Sequence, residues 1–192
     1  MNDYLAIAFS RLVPVLKSLG IRYTIVGSLA SGTRGEHRAT AGGDVLAQIR
    51  PQQSRALVEA LGKEWYAEPE AIESAIRQRR SFNVIHIPTA SKVDIFPATS
   101  DFHLVQMERS TAVPVFPSDD SLQLPVISPE DVVLAKLEWY AAGGEVSEKQ
   151  WNDIQGVLTM QQSLDMEYLN TWAQRLGVTR LLARALDEAI QT

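Results

Sequence analysis

The hydrophobic positions along the chain follow two different periods. In the first two thirds, short runs of β-branched residues alternate with segments whose apolar residues recur every three or four positions, which predicts strands alternating with amphipathic helices. The predicted strands span residues 23–26, 44–49, 81–87, 92–96 and 113–116, the last an edge strand because it contains a proline. The predicted helices comprise a first one that ends at Gly20, a short one capped by Ser28, and residues 52–62 and 69–79.

From Ser128 to the end, the pattern is helical throughout. Ser128 followed by Pro129 indicates a helix start, because serine caps a helix and proline is favoured at its first position. Three more helices are predicted, one opened by Ser147 and two over residues 165–176 and 178–190. The chain is therefore expected to be an α/β (α+β) domain, residues 1–125, with a C-terminal helical subdomain, residues 126–192, packed on it.

Composition excludes several classes of protein. The chain has 192 residues, 45% of them hydrophobic, which is enough for a packed core and atypical of a disordered chain. It has no cysteine, so disulfides and thiolate zinc sites are excluded. A net charge of -5 argues against binding nucleic acid through the overall charge of the surface.

The N-terminal segment lacks the features of a signal peptide. Asp3 stands where a signal peptide has basic residues, and Arg11 and Lys17 interrupt the apolar positions. No run approaches the ~18 to 20 apolar residues that a membrane helix needs. These features predict a cytoplasmic protein without a membrane partner.

One group of polar residues is placed for chemistry. Gly27-Ser28 ends a predicted strand and begins a helix, an arrangement whose backbone N–H groups suit a phosphate. Asp44 begins one predicted strand and Asp94 lies within another, so two carboxylates can meet at one end of the sheet. Paired carboxylates beside a phosphate site are what magnesium-dependent nucleotidyl transfer requires.

The order and spacing of short motifs carry a resemblance that covers nearly the whole chain. The motifs are Gly27-Ser28-Leu29-Ala30-Ser31, Gly35-Glu36, Arg38-Ala39-Thr40, Val93-Asp94-Ile95-Phe96, Pro129-Glu130-Asp131, Lys136-Leu137-Glu138 and Gln150-Trp151-Asn152-Asp153-Ile154. Together they resemble the DNA polymerase β-like nucleotidyltransferase superfamily, and within it the small bacterial group of minimal nucleotidyltransferases and AbiEii-type toxins. The resemblance implies a nucleotidyltransferase-like mixed sheet with flanking helices, followed by a helical bundle.

The chain departs from that superfamily at one position. Where the superfamily carries Asp-x-Asp, this chain reads Gly42-Gly43-Asp44. Residues two apart on a strand share a face, so Asp-x-Asp directs two carboxylates at metals ~3.5 to 4 Å apart. Gly42 supplies no ligand, and Glu36 in the preceding loop is a weak replacement. The expectation is a weakened Mg²⁺ site held by Asp44 and Asp94.

The resemblance also implies roles for individual residues. Asp44 and Asp94 would be the catalytic and metal-binding carboxylates, with Asp94 completing the site or acting as base. The implied nucleotide-binding residues are Gly27, Ser28, Arg38, Thr40 and Lys136. The implied reaction moves a nucleoside monophosphate from a nucleoside triphosphate to a hydroxyl on a protein or on RNA, including transfer RNA.

Three functions stay open on the sequence alone, because the carboxylate set is incomplete. The first is a nucleotidyltransferase with a degenerate active site. The second is a catalytically silent domain that binds a nucleotide or a protein partner. The third is a component of a toxin–antitoxin pair that acts on transfer RNA.

Each candidate residue also has a purely structural interpretation. Gly27-Ser28 can be an ordinary strand end with a helix cap, Asp94 a solvated strand position, and Lys136 a lysine whose stem covers apolar surface. The basic cluster Arg77, Arg79 and Arg80 either meets phosphates or is a solvated helix end. The tryptophans Trp139, Trp151 and Trp172 are predicted to be core, and His37, His86 and His103 to be structural, since they lack metal-ligand spacing.

Overall fold

A computed structural model describes residues 3–35, 40 and 42–190 of the chain. The helices are α1 (Asp3–Ser18), α2 (Gly27–Arg34), α3 (Ser54–Leu61), α4 (Pro69–Arg77), α5 (Asp101–Arg109), α6 (Pro129–Ala142), α7 (Glu148–Met160), α8 (Met166–Leu176) and α9 (Thr179–Ile190). The strands are β1 (Tyr23–Val26), β2 (Gly42–Ala47), β3 (Trp65–Tyr66), β4 (Phe82–His86), β5 (Ser91–Pro97), β6 (Thr111–Pro114) and β7 (Gln123–Val126). Within the described residues, no helix is both long and apolar enough to span a bilayer.

The seven strands form one mixed sheet in the order β3-β4-β5-β2-β1-β7-β6. The pairs β2–β5 and β1–β7 are parallel, and the other neighbouring strands are antiparallel. The predicted strands β4 and β5 pair antiparallel with each other. Strand β6 lies at the edge of the sheet as predicted, where Pro114 is tolerated, although it spans Thr111–Pro114 and not 113–116. The predicted α/β class, with a mixed sheet, flanking helices and C-terminal helices, is confirmed.

The two faces of the sheet are occupied differently. One face carries Gly43 and Val45, and a Cβ added to Gly43 would lie 2.4 Å from the ring of Phe9, so α1 packs directly on this face. The other face carries Asp44 and Leu46, since successive strand residues point to opposite faces. That second face is the floor of the candidate site described below.

One predicted strand is shifted along the chain, and one predicted helix cap is absent. The strand predicted over residues 44–49 spans Gly42–Ala47, because Gly42 and Gly43 pair with β5 across the parallel ladder. The prediction that Ser28 caps α2 was wrong. Helix α2 begins at Gly27. Its N-cap residue is therefore Val26, whose side chain makes no capping hydrogen bond.

Other elements were missed or misjudged by the sequence analysis. Helix α5 and the short strands β3 and β7 were not predicted. Trp151 and Trp172 are buried as predicted, but the prediction that Trp139 is core was wrong, because its exposed fraction is 58%. Trp139 projects from α6 beyond the core and packs edge-on against Phe96, with ring centroids 6.3 Å apart.

A buried polar network fixes the start of α6 to α5 and α8. Ser128 caps α6 as predicted, since its Oγ accepts from the Asp131 backbone N–H at 3.2 Å. The Asp131 side chain is fully buried and accepts hydrogen bonds from Ser128 Oγ at 3.0 Å and from the Tyr168 hydroxyl at 2.5 Å. Arg109 of α5 lies 3.8 Å from the centre of the Tyr168 ring and donates to Glu130 at 3.1 Å. The network therefore fixes the positions of α5 and α6 relative to the sheet.

We expect Tyr168→Phe to lower the free energy of unfolding by about 1 to 3 kcal/mol, because it removes a hydrogen bond to a buried carboxylate. Urea denaturation measures this change. Tyr4→Phe is the matched control, because Tyr4 is 59% exposed and lies outside the network. Equal stability of the two variants would show that the Tyr168 hydroxyl adds nothing.

Candidate functional site

The site is built around the close approach of Asp44 to the backbone at Gly27. Gly27 adopts a left-handed conformation, φ +62°, at the turn from β1 to α2. A Cβ added there would lie 2.0 Å from Asp44 Oδ2 and 2.8 Å from Asp44 Cβ, so glycine is required. The Ser28 backbone N–H donates to Asp44 Oδ2 at 3.4 Å. The carboxylate of β2 thus occupies the helix start where the sequence suggested a phosphate.

The two predicted carboxylates are brought together by the sheet. Asp44 and Asp94 are register partners on the parallel pair β2–β5, so both side chains project from the same face. Neighbouring strands lie roughly 4.7 to 4.9 Å apart, which is within the reach of a shared ion. Lys92, two residues before Asp94 on that face, forms an ion pair with it at 2.7 Å.

Burial raises the pKa of Asp44 above that of an ordinary aspartate. The loss of hydration is the largest cause, and the nearby charge of Asp94 acts in the same direction. The Ser28 N–H and the charges of Lys136 and Lys92 lower the pKa but do not cancel the effect of burial. Asp44 is therefore a carboxylate whose charge is costly unless a cation or further donors approach it.

Lys136 reaches the same site from the helical side. It lies on α6 and forms an ion pair with Asp153 of α7 at 2.5 Å, with each side chain only 11% exposed. The Lys136 side chain is thus largely buried, and its ammonium is paired with a carboxylate. Lys136 lines the same cavity as Asp44. This pair also explains why the sequence places an aspartate at 153.

A cavity of about 390 Å³ opens between the sheet and helices α5, α6 and α7. Its floor includes Asp44 and Leu46 of β2, and α6 contributes Lys136 and Trp139 to the walls. The cavity is also lined by Gly27, Ser28, Phe96, Phe102, His103, Gln106, Lys149 and Gln150. A cavity of this size with apolar walls and few polar groups is typical of a small-molecule site.

The remaining predicted site residues are not all gathered there. Thr40 donates from its Oγ1 to the Gly42 carbonyl at 3.0 Å, so it orders the approach to β2. Arg38 lies outside the described residues, as do Glu36 and His37. The basic cluster is exposed, with Arg77 paired to Glu73 at 2.6 Å.

The other two histidines have different environments. His86 is buried in the core, and its Nδ1 lies 2.8 Å from Thr89 Oγ1, as expected of a structural residue. His103 accepts from the Thr99 N–H at 3.1 Å and also lines the cavity, and burial lowers its pKa.

Sequence reasoning missed Phe102 and Gln106, which line the cavity from α5. The signal was present, because Ser100 followed by Asp101 is a helix start, and Ser100 Oγ accepts from the His103 N–H at 3.2 Å. Gln150 was considered only as part of a family-like motif, although it also lines the cavity.

The carboxylates present suit one Mg²⁺ and not two. Asp44 and Asp94 offer hard oxygen ligands on adjacent strands, and magnesium is commonly held by one or two carboxylates together with phosphate oxygens and water. A second metal lacks a ligand, because Gly42 stands on the face of Asp44 without a side chain. Among residues 3–35, 40 and 42–190, no cluster of three or more acidic, histidine or cysteine side chains could hold a metal.

The fold is shared with two solved structures. One is an antigenic nucleotidyltransferase-like protein from Paracoccidioides brasiliensis, with a TM-score of 0.58, 17% identity, and coverage of 96% of this chain and 93% of that chain. The other is the antibiotic-resistance factor ANT(2'')-Ia, with a TM-score of 0.51, 12% identity, and coverage of 100% of this chain and 97% of that chain. No family model matches the chain, and no curated protein matches its sequence. The fold is therefore nucleotidyltransferase-like, and the similarity to AbiEii-type toxins stays a prediction.

An alanine in the left-handed conformation costs about 1 to 2 kcal/mol. We expect Gly27→Ala to lower the free energy of unfolding by more than this cost. The extra loss arises because the new Cβ would overlap both the carboxylate and the Cβ of Asp44, so rotating the carboxylate cannot relieve the contact. Gly20→Ala is the control, since Gly20 has φ +63° and open space around it. Equal losses in urea denaturation would remove the close approach as an explanation.

We expect Asp44→Asn to gain stability relative to wild type as the pH rises. Because folding raises the pKa of Asp44, its contribution to stability is greatest below the ordinary aspartate pKa and is lost as the pH rises through the raised value. The amide oxygen of asparagine can still accept from the Ser28 N–H. The measurement is the free energy of unfolding of both proteins across that pH range. A difference in the free energy of unfolding between the two proteins that does not change with pH would refute this explanation. The same pH-dependent difference in the exposed control Asp120→Asn would also refute it.

Proposed function

We propose that the protein binds a nucleoside triphosphate together with one Mg²⁺ in the cavity beside Asp44, and that nucleotidyl transfer from it is slow or lost. The observation that carries the proposal is the register pairing of Asp44 with Asp94 at the edge of a cavity that Lys136 also lines. The nucleotidyltransferase-like fold supports the same assignment.

In this proposal, each group has a separate task at the triphosphate. Asp44 and Asp94 would hold the magnesium, which neutralises phosphate charge when bound. Lys136, held in place by Asp153, would face the triphosphate from the α6 side. The Gly27 turn positions Asp44, so it acts on the nucleotide through that carboxylate.

The transfer step requires a hydroxyl acceptor. The hydroxyl oxygen forms a bond to the α-phosphorus while the bond from that phosphorus to the bridging oxygen breaks, and pyrophosphate leaves. The proton of the hydroxyl passes to Asp94, the carboxylate closest to Asp44 in register. A protein or transfer RNA as acceptor, and a place in a toxin–antitoxin pair, stay predictions of the sequence resemblance.

Gly42 limits this reaction. Its position on the face of Asp44 is where a second carboxylate would complete the two-metal arrangement. A second candidate function is a silent nucleotide-binding domain, and the ion pair of Lys92 with Asp94 favours it, because that lysine competes with a metal for the carboxylate.

We expect Gly42→Asp to raise the rate of radiolabel transfer from a nucleoside triphosphate by about 10-fold or more, since single ligand-shell changes alter metal-site activity on that scale. Gly42→Asn is the matched control. Both side chains must fit beside the Lys92 carbonyl oxygen, which lies 3.1 Å from an added Cβ, but only aspartate adds a charge. Asp44→Ala in the Gly42→Asp background should abolish the gain.

Calorimetry with magnesium and each nucleoside triphosphate tests binding separately from transfer. Heat on mixing that disappears in Asp44→Ala supports the proposal, and the absence of heat with all four nucleotides would refute it. Fast transfer by the wild type that Gly42→Asp does not increase would refute the part that concerns Gly42.

A further inference from the structure

The side chain of Gln106 is a polar group on a largely apolar cavity wall. Its residue is 3% exposed on α5. A carboxamide carries hydrogen-bond donors and an acceptor, which water or a ligand satisfies where the protein does not. Gln106 lines the cavity, where a ligand can supply these partners.

A second amide reaches the same cavity from another helix. Gln150 lies in the first turn of α7, where its backbone N–H donates to the capping Ser147 Oγ at 3.3 Å. Its side-chain oxygen is buried and has no hydrogen-bond partner among the described residues. Two amides, one of them with an unpartnered buried oxygen, therefore line one cavity from two separate helices.

The other walls of this part of the cavity are flat and apolar. Phe96, Phe102 and Trp139 line it, and the edge-on packing of Phe96 against Trp139 fixes the orientation of both rings. Trp139 is largely exposed, so its ring remains available to a planar ligand. Aromatic faces with amide groups nearby suit a nucleobase, which stacks through its faces and forms hydrogen bonds through its edges.

We propose that Gln106 and Gln150 select the base of the bound nucleotide and that the preferred base is adenine, an inference that rests on the proposed function. A carboxamide carries one donor and one acceptor side by side. It pairs in two hydrogen bonds with adenine N6 and N7, whereas the same edge of guanine presents two acceptors and is better matched by arginine. None of the described residues that line the cavity is an arginine.

The size of the cavity and its position agree with this assignment. Asp44 and Lys136 line the cavity together with the two amides. A volume of about 390 Å³ leaves room for a purine and its ribose between the aromatic walls and the carboxylates. The triphosphate would then lie toward Asp44 and the base toward α5.

Titration of the full chain with magnesium and ATP, GTP, CTP or UTP tests the inference. We expect ATP to bind about 10-fold or more tightly than the other three, and Gln106→Leu and Gln150→Leu each to reduce that preference. Tripolyphosphate, which has no base, should bind the wild type and both variants equally. Gln150→Leu should not lower the thermal midpoint, because its buried amide oxygen has no hydrogen-bond partner among the described residues.

Gln52→Leu is the matched control, since Gln52 is exposed and lies outside the cavity. It should retain the wild-type preference for ATP. Equal affinity for the four nucleotides, or a preference for ATP that survives both substitutions, would overturn the role of the amides while leaving the proposed function intact. Failure of every nucleotide to bind would overturn both.

Discussion

The site depends on the contact between the Asp44 carboxylate and the backbone at Gly27. Only a residue without a side chain can occupy that turn, because the carboxylate takes the space of a Cβ. The turn lets α2 begin directly at the end of β1, and the carboxylate accepts a hydrogen bond from the Ser28 N–H at the helix start. The register of β1 with β2 and of β2 with β5 then places Asp94 beside Asp44.

The helices α5, α6 and α7 form the opposite wall of the site and are held by buried charged groups. Asp131, with Ser128 and Tyr168 as its hydrogen-bond partners, ties the start of α6 to α8, and Arg109 brings in α5. One turn further along α6, Lys136 is fixed by Asp153. These ion pairs and hydrogen bonds hold α5, α6 and α7 at the distance from the sheet that leaves the cavity open. Stability and site geometry therefore rest on the same residues.

Much of the fold could be predicted from local patterns. The parallel strand β5, the Ser128 cap and the glycine after α8 each follow from side-chain periodicity or from the conformational preference of a single residue. Helix α5 was missed because its buried face mixes apolar and polar residues: Leu104 is exposed while Gln106 is buried. Trp139 was assigned to the core because its helix is apolar on most sides, so periodicity alone does not identify which side meets solvent.

The sequence by itself determined the fold class, the two carboxylates that meet and the glycine on the same strand face at position 42. These features depend on strand order and on residue type, and both follow from residues that are close together in the sequence. Only the tertiary structure decided that Asp44 caps α2, that Lys136 is paired with Asp153, and that Gln106 and Gln150 line one cavity. Those relations join segments far apart in the chain, and they follow from how the helices pack on the sheet rather than from any local preference.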